Sequence, residues 1–170
     1  MSDTKPNYPA IRRIVTGHDK SNVAKVLTDS AASNAKYPAP GVVSTLIWST
    51  DSTPAKIPVG TDIEDMGARI LGTAPPAMGS RFTVIDFPPG NKPHMHRTDT
   101  VDYIIVLEGE IEMDMDDSTV TMKAGDIMIQ RGTNHAWANR SNARARVAFV
   151  LLDGVPLGIG KPVAGTENAR

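Results

Sequence analysis

The chain of 170 residues carries 18 basic and 19 acidic side chains, for a net charge of −1. That length suits one compact domain with its own core, and the near balance of charge excludes the basic face that displaces counterions from nucleic acid. The absence of cysteine excludes disulfides, thiolate nucleophiles and cysteine metal sites.

The opening Met1-Ser2-Asp3-Thr4-Lys5-Pro6 has neither a basic nor an apolar signal region. The longest apolar runs reach about half a membrane span. The expectation is a soluble, cytoplasmic protein with neither nucleic acid nor membrane as partner. Fourteen glycines and thirteen prolines, spread along the whole chain, break it into short apolar runs. This pattern predicts many short strands and no helical bundle.

In chain order, residues 11–16 and 23–27 flank the polar stretch Gly17-His18-Asp19-Lys20-Ser21-Asn22 and read as a hairpin. Residues 41–50 (GVVSTLIWST) are rich in β-branched side chains and predict a strand. Residues 51–79 carry Pro54, Pro58, Pro75 and Pro76, with a short helix expected near 63–70. This stretch is expected to form an arm packed on the rest, with Gly60, Gly67 and Gly72 as pivots should it act as a lid.

From residue 80 the strand signals become dense. Residues 81–87 form a strand closed by the turn Pro88-Pro89-Gly90. Residues 101–107 form another, with Asp102, Ile104 and Val106 on one face and Tyr103 and Ile105 on the other. In 110–116, Ile111, Met113 and Met115 alternate with Glu110, Glu112 and Asp114, which predicts a half-buried antiparallel strand with an acidic solvent face. Residues 119–122, 127–130, 135–139 and 146–153 complete a succession typical of a sandwich or jelly-roll barrel. Three segments follow: 1–79 as extra strands and arm, 80–153 as barrel, and 154–170 as a tail expected to be disordered over 166–170.

Three of the four histidines lie in the barrel segment. His94 and His96, two residues apart, share one strand face with α-carbons roughly 6–7 Å apart. That spacing lets two imidazoles converge on one ion. His135 lies on a later strand with Trp137 and Asn139 on its side, and could close the site. His18, in a turn, is expected to take no part.

The segment from Gly90 through His94, His96 and Asp102 to Gly109 resembles the first signature of the cupin superfamily. Gly125-Asp126 followed by His135-Ala136-Trp137-Ala138-Asn139 is similar to the second. The resemblance covers residues 80–153 and implies a double-stranded β-helix, or jelly-roll barrel. It also implies one divalent transition metal per chain on His94, His96 and His135, with Asp102 as fourth ligand. There are departures. Only three residues separate Gly90 from His94 where five are usual, and the acid is Asp rather than Glu, with five residues between it and His96. The second signature has Arg131-Gly132-Thr133 in place of its usual proline. Asp99 is an alternative acid on a loop.

A sulfur-free site suits Fe, Mn, Zn, Ni, Co or Cu without separating them, and Fe is expected first because the oxygenase reading favours it. Two free positions on an octahedral ion favour an oxidoreductase of dioxygenase type on a small organic metabolite. The alternatives are a lyase, decarboxylase or isomerase that needs no O2, and a binding cupin without catalysis. Trp137, Tyr103, Arg97 and Arg131 border the histidine strands as candidate substrate contacts, and Met113, Met115, Met122 and Met128 supply an adaptable apolar interior. The extra N-terminal strands suggest a homodimer.

Overall fold

The computed structural model describes residues 6–163, which form strands and turns with no helix among them. The strands are β1 (Arg12–His18), β2 (Ala24–Ala31), β3 (Ala35–Ala39), β4 (Val42–Thr50), β5 (Ser80–Phe87), β6 (Thr100–Glu108), β7 (Glu110–Asp114), β8 (Thr119–Lys123), β9 (Ile127–Arg131), β10 (Ala136–Ala138) and β11 (Ala145–Asp153). Six of them form one sheet in the order β3-β4-β5-β11-β6-β9, three form a second in the order β10-β7-β8, and β1-β2 stand apart as a hairpin. This is the all-β jelly roll that the turn density predicted. The expectation for residues 166–170 lies outside the described residues.

Period-two burial explains the layering. Along β6 buried and exposed residues alternate strictly from Thr100 to Leu107, because successive side chains leave opposite faces of a strand. Ile104, Val106, Val147 and Phe149 of the six-stranded sheet meet Ile111, Met113, Met122 and Trp137 of the three-stranded sheet in one core. Each such buried side chain contributes roughly 1.5–3 kcal/mol. Met113 and Met122 are core filling, with Met115 and Met128 packed at its margin, so none of the four lines the cavity described below. The outward acids of β7 are paired: Arg140 donates to Glu112 and Asp114. At the β6–β7 turn, Gly109 has φ +76°, and a Cβ there would lie 2.4 Å from the Arg144 carbonyl oxygen, so only glycine fits.

The short helix expected near 63–70 does not form. Asp65 accepts the Gly67 N–H at 2.9 Å and the Arg13 guanidinium at 2.8 Å. The carbonyls a helix needs internally are taken by other elements. Ser49 donates to Met66 O at 2.8 Å, and Asn34 donates to both Gly67 O at 2.8 Å and Arg69 O at 2.9 Å. Ser49 of β4 and Asn34, just before β3, thus hold the arm in an irregular path.

The outer face of the six-stranded sheet is covered on one side only. Ile11 and Ala32, flanking the β1-β2 hairpin, pack on Ile47, Val84 and Ala148, and Arg13 reaches Ile47 O at 3.3 Å. Beyond β11 the face is bare: Val101, Tyr103, Ile105 and Leu107 on β6, and Ile127 and Ile129 on the edge strand β9, are exposed.

Candidate functional site

A cavity of about 430 Å³ opens inside the barrel. Its apolar walls are Ile85, Phe87, Phe149 and Leu151, and His94, His96, His135 and Trp137 line one part of it. Asp102, Arg81 and Ser44 line another, while Leu71, Gly72 and Thr73 of the arm and Val163 of the C-terminal segment also contribute.

The histidine corner is built by backbone pairing. His96 and His135, outside the named strands, form an isolated antiparallel bridge with reciprocal N–H···O bonds of 2.9 Å. The bridge brings their ring centres to 4.5 Å, with His94 6.0 Å from His96. His96 Nδ1 donates to the His94 carbonyl oxygen at 2.9 Å, and His135 Nδ1 donates to the Thr133 carbonyl oxygen at 2.9 Å. A carbonyl can only accept, so each Nδ1 carries a proton and Nε2 is the atom that each ring offers to an ion; at His135 this sets the Gln130 amide with its otherwise unpartnered oxygen towards Nδ1. The Gln130 amide packs against the same edge of His135, 2.6 Å from Nδ1. Burial, aided by neighbouring His96, pushes the His135 pKa down to about 4, so this imidazole is neutral at physiological pH. Trp137 stands edge-on to both His135 and Phe149, with centres 5.8 and 5.3 Å away.

The donor chemistry of this corner fits a divalent transition metal. With a metal–nitrogen distance of about 2.1 Å and the ring centre roughly 1.1 Å behind the nitrogen, two imidazoles at right angles on one ion have centres about 4.5 Å apart. The His96–His135 pair matches that spacing. His94 stands further off and is exposed. As placed, no three His, Asp or Glu side chains among the described residues come close enough to hold an ion.

Asp102 shares the cavity but has different surroundings. It is buried on β6, opposite Gln130 of β9 and Leu151 of β11. Burial pushes its carboxyl up to about 6, against hydrogen bonding from Thr100 and the attraction of Arg81. Its Oδ1 is buried without a hydrogen-bond partner.

The remaining candidates point elsewhere. Tyr103 lies on the outer face of β6, 43% exposed, and Arg131 is exposed at the end of β9; neither lines the cavity. Arg97 is buried, but its guanidinium donates to Asp99 and to the Ile159 carbonyl, while Asp99 accepts the Leu157 N–H at 3.2 Å. Arg97 and Asp99 therefore fasten the C-terminal segment to the barrel. Asn139 closes loops through its side chain, donating to Phe87 O at 3.0 Å and Ala143 O at 2.8 Å. Arg81 and Gln130 were not anticipated. The available signal for Arg81 was an arginine in phase with Thr83, Ile85 and Phe87 on the inward face of a strand.

Residues 83–151 match the family model of the cupin domain. Phomopsin biosynthesis cluster protein C′ of Diaporthe leptostromiformis is 33% identical over 174 residues, covering 96% of this chain and 89% of that protein. The chain belongs to the cupin superfamily. Oryzines biosynthesis cluster protein J of Aspergillus oryzae is 32% identical to this cupin, with 89% of this chain and 87% of that protein aligned. The cupin-domain-containing oxidoreductase fogC of Aspergillus ruber is 33% identical, over 83% of this chain and 71% of its own. Relatives of this cupin thus include proteins named as oxidoreductases. No helix among the described residues is long and apolar enough to cross a membrane.

Proposed function

We propose that this cupin is a metal-dependent oxidoreductase of dioxygenase type that acts on a small organic molecule held in the cavity. In this reading His94, His96 and His135 carry one divalent transition metal per chain, iron first. The observation that supports it most is the His96–His135 pair, whose centres lie 4.5 Å apart with each Nδ1 committed to a backbone carbonyl. That arrangement presents two oriented nitrogen donors. His94, on an exposed stretch, joins them by rotating its own side chain. The relatives named as oxidoreductases, such as the Aspergillus ruber protein, favour redox work over other cupin chemistry. When bound, the ion supplies Lewis-acid polarisation of a substrate oxygen and a redox centre.

The chain's own residues do the rest. Trp137 and Phe149 wall the cavity against a flat substrate, and 71–73 of the arm with Val163 shield it from water. In this reading residues 80–153 carry the metal corner, and residues 36–44, 71–73 and Val163 from the flanking segments complete the cavity around it.

The test is metal content and O2 uptake. Protein purified without chelator or nickel resin is expected to hold near-stoichiometric iron, which His96→Ala loses. A wild type that is empty and refuses added Fe, Mn, Ni and Zn sinks the reading. Turnover that proceeds without O2 moves it to a lyase or isomerase.

A cytoplasmic homodimer completes the proposal. The bare apolar outer face of β6 and β9 ends at an open sheet edge, where a two-fold partner covers the same patch on both copies. A monomeric mass by light scattering at micromolar concentration ends that part of it.

A further inference from the structure

Arg81 enters the cavity from the inner face of β5, and its guanidinium is weakly held. Nη1 donates to the Thr73 carbonyl at 3.2 Å and Nη2 to the Ser44 hydroxyl at 3.4 Å, both long, and the buried Nε has no partner. Register sets Leu151 of β11 opposite Arg81 on one side and Asp102 on the other. Arg81 and Asp102 therefore lie on one face, roughly 10 Å apart at their α-carbons by strand spacing. Asp102 Oδ1 is buried and also unpartnered. Free donors on a guanidinium and a free acceptor on a carboxyl, both screened from water, cost stability until something completes them.

The charge around the cavity says what completes the guanidinium. Among the described residues Lys36 and Lys92 join Arg81 in the lining, three cations against the one carboxylate of Asp102. The walls next to them are apolar and partly aromatic, with Phe87, Phe149 and Trp137. We propose that Arg81 is the recognition residue for a carboxylate on the substrate, whose apolar or aromatic body lies along those walls. A planar guanidinium meets two carboxylate oxygens side by side through parallel N–H bonds, a geometry that lysine cannot offer. Asp102, across Leu151, opposes the incoming negative charge and so moderates affinity. The proposal rests on the cavity being the substrate site, and not on the metal.

The test uses trans-cinnamate and its neutral isostere cinnamamide, titrated into the full-length protein and followed by tryptophan fluorescence and calorimetry. Cinnamate is expected to bind more tightly than cinnamamide by about tenfold or more, as a charge-assisted pair requires. Arg81→Gln is expected to bring the two affinities together, and Arg81→Lys to leave an intermediate preference. Asp102→Asn is expected to tighten cinnamate and leave cinnamamide unchanged, which a purely structural role for the pair does not produce. His96→Ala, which empties the metal corner, is expected to keep the cinnamate preference.

Equal affinities in the wild type, a preference that survives Arg81→Gln, or no binding of either probe at millimolar concentration overturns the proposal. Loss of cinnamate in His96→Ala also overturns it, since the anion then sits on the imidazoles. Should Arg81→Gln fail to fold in a thermal melt, unchanged cinnamate affinity in both Arg81→Lys and Asp102→Asn overturns it instead. A wild type without metal that retains the Arg81-dependent preference defeats the metal reading and supports this one.

Discussion

The two faces of the six-stranded sheet meet acid–arginine groups treated in opposite ways. On the outer face Asp86, 1% exposed, accepts Arg146 Nε at 2.8 Å and Nη2 at 3.1 Å, and a further bond from Arg144. Those arginines are themselves engaged: Arg146 also donates to Pro9 O at 2.7 Å, and Arg144 to Glu108 while lying 5.5 Å from the Tyr8 ring centre. On the inner face Arg81 and Asp102 are likewise withdrawn from water, yet each retains a buried polar atom without a partner. Buried charge that the chain itself completes holds structure together. Buried charge that the chain leaves incomplete, facing a cavity, marks where a ligand finishes the job.

Four measurements test that contrast. Asp86→Ala strands two arginines and is expected to cost about 3–5 kcal/mol in denaturant unfolding. A loss under about 1 kcal/mol removes the distinction between the two faces.

The next effect is read from pH in the metal-free protein. Burial holds the His135 pKa at about 4, below its ordinary value of 6.5, so the stability of its neutral form is complete above pH 6.5 and is lost as pH falls towards 4. Asp102 runs the other way. Its pKa is raised from 3.8 to about 6, so the penalty on its charged form is complete above pH 6 and is relieved as pH falls towards 4. In the wild type the two slopes oppose each other. Asp102→Asn removes the second, and its stability is expected to fall by about 3 kcal/mol between pH 6.5 and 4, more steeply than the wild type. Superimposable pH profiles contradict this assignment.

At pH 7 the same Asp102→Asn change deletes a desolvated charge and is expected to raise stability by about 1–3 kcal/mol. Destabilisation instead places Asp102 with Asp86 among the structurally satisfied groups. Smallest is Ile127→Lys with Ile129→Lys on the bare outer face, expected to change the stability of the fold by less than about 0.5 kcal/mol. The same pair is expected to convert a dimeric mass to a monomeric one. An unchanged mass removes that face from the homodimer proposal.

Much of the barrel was legible in the sequence because period-two alternation is a local property. Residues 101–107 and 110–114 show it, and the structure places β6 and β7 over both stretches. The His94-Met95-His96 spacing was equally visible in the chain, although the two rings are placed by a loop and by the His96–His135 bridge rather than by a strand. Other features depended on distant groups. Residues 63–70 stay irregular because Ser49 and Asn34, from elsewhere in the chain, take the carbonyls. Tyr103 and Arg131 neighbour the histidine strands, yet their side chains fall outside the cavity. Arg97 turned to Asp99 and the C-terminal segment, contacts that span up to 62 residues.

The all-β class, the alternation of faces along each strand, the turns and the two-residue spacing of His94 and His96 were written in the chain itself, since each follows from backbone geometry within a few residues. The tertiary structure alone decided which side chains meet. β11 lies between β5 and β6, out of chain order, and that placement sets Arg81 and Asp102 on either side of Leu151. The His96–His135 bridge joins residues from distant segments in the same way. Strand order is chosen by how two whole sheets bury their apolar faces against each other, and no local stretch of sequence carries that information.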